Sequence, residues 1–178
     1  MRYLIVDLEA TCRESGMPRE EMEIIEIGAV EMLSADSELT REFGRFIRPT
    51  LHPELSEFCT QLTSITQRDV ERAGLFPEVF QEFQDWIGPR PYTLCSWGNY
   101  DLTQFLQDFE RHEIMPPYEF DFARHINLKK RFAEKFGTRP LGMAGALHHL
   151  GLPLLGKHHR GIDDARNIAA LARLILPN

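Results

Sequence analysis

The fold is decided by the stretch Tyr3-Leu4-Ile5-Val6-Asp7-Leu8-Glu9, which opens on four apolar residues and ends in two acids separated by a leucine. An uninterrupted apolar run is typical of a strand that is buried on both faces of a sheet. Side chains two positions apart on a strand point to the same face, so Asp7 and Glu9 lie side by side. Adjacent carboxylates next to a core are costly unless a cation lies between them. The alternative is a pair of solvated acids at a strand end.

Hydrophobic periodicity downstream of this strand predicts two more strands, at residues 24–33 and 39–47, and then a helix at residues 76–87. A short fourth strand is predicted at residues 92–95. Further helical segments are predicted at about residues 102–109, 125–136, 143–150 and 162–176. Three consecutive strands followed by alternating helices and a strand predict an α/β fold. The length of 178 residues fits one domain over residues 1–178.

The longest irregular segment is predicted at residues 50–66. Long loops in compact domains are often functional, although a covering flap without ligand contact would have the same pattern. Directly after this segment, Thr66 and Asp69 match a capping box, which predicts a short helix that ends at Gly74.

The chain is acidic, with 20 basic and 27 acidic residues and a net charge of −7. Proteins that coat nucleic acid through a general basic surface depend on lysine and arginine to replace counterions, so the net charge argues against this class. An enzyme that binds one strand end through metal ions is still compatible with it. The charge is nevertheless uneven, because residues 124–139 contain six basic residues and one acid, Glu134. A second basic cluster is Lys157-His158-His159-Arg160. Each cluster is either a solvated surface or a binding site.

The cysteines and the hydrophobic runs indicate the cellular compartment of the protein. Cys12, Cys59 and Cys95 are far apart and form no CxxC pair, so neither a zinc site nor a disulfide framework is indicated. No apolar run approaches the roughly 18 residues of a membrane span, and the first apolar stretch is too short for a signal peptide. We therefore expect a protein of the reducing cytoplasm without membrane association. No feature indicates an obligate protein partner.

Two more acids and a histidine stand where α/β proteins place functional groups. Asp101 follows a predicted strand and opens a helix, where ligand groups gather on such sheets, although a simple helix cap is the alternative. His159 lies just before the last predicted helix, and Asp164 lies in its first two turns. The helix dipole favours negative charge there, so a structural role competes for Asp163 and Asp164. His158 competes with His159.

Four carboxylates and one imidazole together meet the needs of a two-metal phosphodiester hydrolase. Two metal ions about 3.5–4 Å apart stabilise the attacking and the leaving oxygen, and hard ions prefer carboxylate ligands. A histidine with a near-neutral pKa suits removal of a proton from the attacking water. The combination predicts two Mg²⁺ or Mn²⁺ ions held by Asp7, Glu9, Asp101 and an acid at the start of the last helix, Asp163 or Asp164, with His159 or His158 as the general base.

These motifs resemble the DEDDh branch of the 3′–5′ exonucleases. The first motif is Asp7-Leu8-Glu9-Ala10-Thr11-Cys12, and the second ends in Asp101. The third motif places a histidine five residues before an acid, a spacing that selects His159 over His158 and Asp164 over Asp163. The chain is most similar to the enhanced-RNAi, or histone-mRNA, 3′ exonuclease subfamily. The matching stretches are residues 7–12, 23–26, 55–59, 62–67 and 159–164. The resemblance implies a ribonuclease H-like mixed five-stranded sheet flanked by helices.

The resemblance also implies roles for single residues. Asp7, Glu9, Asp101 and Asp164 would bind the metals, His159 would be the base, and Glu9 would also act in catalysis. The residues implied to contact the terminal nucleotide are Ala10, Thr11, Phe58, Leu62, Thr63, Ile65, Trp97 and His159. Ordinary burial is the alternative for Phe58, Leu62 and Ile65. Two positions depart from the family pattern: Ser64 replaces a usual glycine, and three residues separate Trp97 from Asp101, whereas some relatives have Trp next to Asp.

The activity implied is stepwise hydrolysis of single-stranded RNA or DNA from the 3′ end to 5′-mononucleotides, with RNA favoured through the family alone. One alternative is a non-catalytic nucleic-acid-binding module. Its signature would be loss of one of the four acids or the histidine, but all five are present. Another alternative is a hydrolase of short oligonucleotides, which the acidic charge and the small size also permit.

Overall fold

Residues 2–35, 37 and 39–177 are described by the computed structural model, and they form a mixed five-stranded sheet with helices on both faces. The sheet order is β3-β2-β1-β4-β5; β1 pairs antiparallel with β2 and parallel with β4. This arrangement confirms the expected α/β, ribonuclease H-like sheet. The strands are β1 Tyr3–Ala10, β2 Ile24–Met32, β3 Leu39–Phe46, β4 Thr93–Ser96 and β5 Ile126–Asn127. The helices are α1 Glu57–Thr63, α2 Gln67–Glu71, α3 Phe76–Ile87, α4 Tyr100–Arg111, α5 Leu128–Phe136, α6 Met143–His149 and α7 Gly161–Ile175.

The central strand β1 is buried on both faces, as its apolar run predicts. Tyr3 and Ile5 pack into the core beneath α5, α6 and α7, whereas Leu4 and Val6 pack into the core beneath α3 and α4. Both faces of the sheet at β1 are therefore covered by helices. Among the residues the structure describes, none of the helices combines the length and the apolar character that crossing a bilayer requires.

Two glycines allow the last helix to touch the sheet backbone to backbone. A Cβ atom added to Gly28 on β2 would lie 1.9 Å from the carbonyl carbon of Gly161, the first residue of α7. A Cβ atom added to Gly161 would lie 2.9 Å from the backbone oxygen of Asp7. This close approach brings the first turns of α7, and with them Asp164, over the acidic end of β1.

Gly28→Ala is expected to destabilise the fold by at least about 3 kcal/mol, because the new methyl group collides with backbone that has no room to move. The matched control is Gly44→Ala on β3, directly paired with Gly28. The nearest atom to a Cβ there is the Ile162 side chain at 3.4 Å, so its cost stays within about 1 kcal/mol. Urea unfolding of both variants measures the difference. Equal stability of the two would contradict the close approach.

Two elements differ from the sequence expectation. The segment 125–136 was expected to be wholly helical, but it opens with the two-residue strand β5, which pairs parallel with Cys95 and Ser96. The segment 50–66 was expected to be irregular, but it contains α1, because the Ser56 side chain caps that helix by accepting a bond from the Cys59 amide. Ser64 ends α1 in the left-handed conformation, with φ of 61°, and thus adopts the backbone that the usual glycine favours.

Candidate active site

A cavity of about 310 Å³ opens where β1 and β4 end and α7 begins. It brings together all four predicted carboxylates and the predicted base, although these residues are spread from position 7 to position 164 of the chain. Its walls are formed by Asp7, Leu8, Glu9, Ala10, Cys12, Met22, Leu62, Trp97, Tyr100, Asp101, Met143, His158, His159 and Asp164.

Three of the carboxylates are close enough to share one ion. Asp7 and Glu9 lie on β1, and Asp164 lies in the first turn of α7. Each offers an oxygen, and these oxygens all lie within 4.8 Å of one another. Asp163, the competing acid, points elsewhere, because its carboxylate accepts bonds from the Lys157 amide and the Arg166 guanidinium. The spacing that favoured Asp164 over Asp163 therefore agrees with the geometry.

Asp101 is tied to the central strand. It is the second residue of α4, and its Oδ1 accepts a hydrogen bond of 3.0 Å from the backbone amide of Leu8, the residue between Asp7 and Glu9. The N-cap of α4 is Asn99, so Asp101 is not the capping residue that the simpler interpretation required. The bond holds the Asp101 carboxylate against β1 beside the other acids.

The electrostatics of this cluster favour a bound cation. Burial, with neighbouring carboxylates adding to it, raises the pKa of Glu9 to about 9 and holds the pKa of Asp7 well above its ordinary value. Burial also raises the pKa of Asp101 to about 6, even though hydrogen bonds oppose the shift. Asp164 Oδ1 is buried and has no hydrogen-bond partner among the described residues. Crowded carboxylates with an unpartnered oxygen fit divalent cations with oxygen ligands, so the residues present suit a metal site.

His158 and His159 make different contacts in the cavity. His158 Nδ1 lies 2.9 Å from Asp164 Oδ2, and the same oxygen accepts the backbone amide of His159 at 2.9 Å. The His159 ring stacks on that of His158, with centroids 4.0 Å apart, and it has no protein hydrogen-bond partner in the described part of the chain. Burial and the neighbouring His158 lower the pKa of His159. The His159 ring is thus free to take a proton, whereas His158 braces Asp164.

Glu26 is a buried residue of this region that sequence reasoning assigned no role. Its carboxylate, 2% exposed on β2, accepts bonds from the Arg160 guanidinium at 3.2 and 3.4 Å and from the Gly161 amide at 3.0 Å. Both donors directly follow His159 in the chain. The only sequence signal was that Glu26 closes one of the stretches shared with the exonuclease subfamily. Glu26 anchors the segment that carries the base and Asp164.

Glu26→Ala is expected to lower both the unfolding free energy, by about 1–3 kcal/mol, and kcat, because it leaves the Gly161 amide unpaired and releases the His159 segment. The control is Glu42→Ala, which breaks the half-exposed Arg166–Glu42 pair between β3 and α7 and costs less than about 1 kcal/mol. Kinetics at a temperature where both variants are fully folded separate the two effects. An unchanged kcat in Glu26→Ala would show that Glu26 does not position His159.

The residues predicted to contact the nucleotide fall into two groups. Ala10, Leu62, Trp97 and His159 line the cavity, and Trp97 is held there by its Nε1 bond of 3.0 Å to the Leu141 oxygen. Phe58 lies outside the cavity lining, but it is exposed one turn before Leu62 on α1, so the two share a helix face.

Thr11, Thr63 and Ile65 are buried and do not line the cavity. Thr11 Oγ1 accepts the Glu23 amide, Thr63 Oγ1 donates to the Cys59 oxygen, and Ile65 packs against Ile25 and Val70. The structure gives these three side chains internal partners, so it favours burial over direct nucleotide contact. Met22, Tyr100 and Met143 line the cavity although sequence reasoning did not select them. Only Tyr100 carried a signal, because it adjoins Asp101.

A ribonuclease H-like sheet on which the central strand, α4 and the last helix bring four carboxylates together beside a histidine defines a nuclease domain of the DEDDh type. The sequence model of the exonuclease family matches residues 4–172. The chain therefore belongs to that exonuclease family.

Relatives with known names are similar over nearly all of this chain. The human 3′-5′ exoribonuclease 1 is 33% identical over 94% of this chain and 50% of the human protein. The mouse ERI1 exoribonuclease 2 is 32% identical over 95% of this chain and 28% of the mouse protein. The chain thus spans half or less of the length of these two relatives.

Solved structures agree with the fold. The nuclease domain of 3′hExo, a DEDDh family member bound to rAMP, matches with a TM-score of 0.89 and 31% identity, over 97% of this chain and 90% of that one. Exonuclease I of E. coli in complex with a dT13 oligonucleotide matches with a TM-score of 0.76 at 14% identity, over 98% of this chain and 40% of that one. At that identity the second match supports the fold alone. The family to which these nucleases belong is metal-dependent in general.

Proposed function

We propose that this chain is a 3′–5′ exonuclease that uses two Mg²⁺ or Mn²⁺ ions and releases 5′-mononucleotides from the 3′ end of single-stranded nucleic acid, with RNA preferred over DNA. The observation that carries the proposal is the convergence of Asp7, Glu9, Asp101 and Asp164 with His159 in one cavity. The names of the relatives, which are exoribonucleases, support the preference for RNA.

The residues of the cavity account for the chemistry. The four carboxylates would hold the ions, which when bound supply charge stabilisation for the attacking and leaving oxygens. His159, with its free ring and lowered pKa, takes the proton from the attacking water. Asp164 holds the His159 backbone amide, which fixes the position of the base relative to the carboxylates.

The remaining walls suit a single nucleotide. Leu62 and Trp97 offer an apolar side chain and an aromatic ring, and every nucleobase has a face that stacks on such a ring. A volume of about 310 Å³ lies at the small end of ligand cavities. We infer that one terminal nucleotide enters at a time, which limits cleavage to the strand end.

The test uses oligomers of RNA and of DNA, labelled at either end, with Mg²⁺, with Mn²⁺ and with EDTA. We expect stepwise release of mononucleotides from the 3′ end, faster on RNA, and none in EDTA. Internal cleavage, or no release with either ion, would refute the proposal. Equal rates on RNA and DNA would refute the proposed preference for RNA but not the proposed exonuclease activity.

We also propose that residues 1–178 form a single exonuclease domain that acts in the cytoplasm. The family match over residues 4–172 supports one domain, and the three free cysteines are compatible with a reducing compartment. Fluorescence imaging of the tagged full-length protein tests the location, and an exclusively extracellular signal would contradict it.

A further inference from the structure

A second groove, of about 330 Å³, lies beside the active-site cavity at the β5 edge of the sheet. It runs from the end of β4 along the first turns of α5. The four carboxylates of the active-site cavity and His159 do not line this groove. Its lining residues are Asn99, Phe122, His125, Ile126, Asn127, Lys130, Arg131 and Glu134.

The groove and the active-site cavity share a wall, formed by residues 97–101. Trp97 and Asp101 line the cavity, whereas Asn99, midway between them, lines the groove. Asn99 Oδ1 accepts a bond of 2.9 Å from Asn127 Nδ2, which fixes the wall to the start of α5. The cavity and the groove are therefore neighbours on the surface, separated only by residues 97–101.

The groove is lined by two basic residues, Lys130 and Arg131, and one acid, Glu134, and it lies on the most basic segment of an acidic chain. Residues 124–139 carry six basic residues and one acid in a protein with a net charge of −7. Lys130 and Glu134 form an exposed pair at 3.9 Å, but no salt bridge among the described residues engages Arg131 or Lys135. Buried structural arginines behave differently, since Arg2 is held by Glu31 at 2.6 Å. Arg131 is therefore available to an external anion, and Lys130 is held only by a long, solvent-exposed pair that an anion can replace.

An exposed aromatic ring accompanies this charge. Phe122 lines the groove with 53% of its surface exposed, so its ring is accessible beside Lys130 and Arg131. Proteins that bind single-stranded nucleic acid combine a positive groove along the backbone with aromatic rings on which bases stack. The groove combines both features, because Phe122, Lys130 and Arg131 all line it.

We propose that this groove binds the substrate strand upstream of the 3′-terminal nucleotide, with Lys130 and Arg131 on backbone phosphates and Phe122 against a base. The inference rests on the proposed function, because it requires the 3′ end of the same strand to occupy the active-site cavity. The protein therefore binds longer strands more tightly than dinucleotides, and the difference depends on salt.

The test compares the wild-type enzyme with the double variant Lys130→Ala and Arg131→Ala, in Mg²⁺, on RNA of 2 to 12 nucleotides at 50 and 200 mM salt. Both residues are exposed, so the fold tolerates their loss. We expect kcat/KM on the 12-mer to fall about tenfold at low salt, with a weaker salt dependence, because two phosphate contacts are lost. Activity on the dinucleotide should stay within about twofold, since the cavity is untouched.

The control variant, Arg72→Ala with Arg173→Ala, removes the same charge from exposed positions that line neither the cavity nor the groove. It should match the wild type on every length. Identical behaviour of the groove variant and the control would overturn the inference, as would tight binding of an acidic peptide by the groove with no effect on RNA. Wild-type enzyme that releases no nucleotide from any length would instead refute the proposed function, and the inference with it.

Discussion

Asp7→Asn is expected to lower nucleotide release by about a thousandfold or more while making the metal-free protein more stable. The loss follows because a metal ligand disappears, and charge stabilisation worth several kcal/mol corresponds to about three orders of magnitude in rate. The gain follows because Asp7 is crowded by Asp101, Glu9 and Asp164, whose proximity contributes to its raised pKa. Removing one charge relieves that repulsion. Thermal unfolding in EDTA and in Mg²⁺, beside the activity assay, measures both effects.

The stability of the metal-free protein should also depend on pH. The pKa of Glu9 rises from 4.5 to about 9 on folding, and that of Asp101 rises from 3.8 to about 6. Groups with raised pKa values stabilise the fold fully below their unfolded pKa and lose that contribution as pH rises through the folded pKa. Metal-free protein should therefore lose stability between about pH 4 and 9, and Asp7→Asn should flatten the decline. Mg²⁺ should stabilise the wild type increasingly with pH, because its ligands must be deprotonated. If Asp7→Asn were less stable than the wild type in EDTA, the proposed repulsion among the carboxylates would be wrong.

His159→Ala is expected to lower kcat by about 10²–10⁴-fold, the usual contribution of a general base, without weakening the stabilisation by Mg²⁺. In the wild type the base form acts, so kcat/KM should fall on the acidic side. Burial lowers the pKa of His159, which places this limb below pH 6.5. At saturating Mg²⁺, which keeps the carboxylate ligands deprotonated, the limb should disappear in the variant.

The comparison variant is His158→Ala, whose ring contacts Asp164. We expect a smaller loss of kcat, with the acidic limb retained, because this change loosens a ligand and leaves the base in place. If His158→Ala lost the limb and His159→Ala kept it, the roles of the two histidines would be reversed.

The sequence predicts β1 and the acids on it well, because an uninterrupted apolar run followed by alternating acids has few other structural solutions. Residues of the third motif are also predictable, since their spacing distinguishes Asp164 from Asp163. The bond from the Leu8 amide to Asp101 is not predictable, because it joins residues 93 positions apart. Nor is the anchoring by Glu26, since its partner segment lies 134 positions away. Long-range contacts of this kind arise only when the sheet and α7 have packed.

Short elements escape sequence analysis for a different reason. The two residues of β5 are too few for an alternating pattern, and their pairing with β4 decides their conformation. Thr63 and Ile65 match the exonuclease pattern, but that pattern does not separate residues that touch a nucleotide from residues that support the ones that do. Burial in the fold makes this separation, because both side chains have internal partners.

The most direct measurement is anomalous diffraction from crystals soaked in Mn²⁺ together with a nucleoside 5′-monophosphate. We expect two anomalous peaks within bonding distance of the carboxylates of Asp7, Glu9, Asp101 and Asp164, with the phosphate between them and His159. His158, His159 and Asp164 also present ligand atoms within 4.8 Å of one another. A single ion held by those two histidines, or no peak near β1, would contradict this expectation.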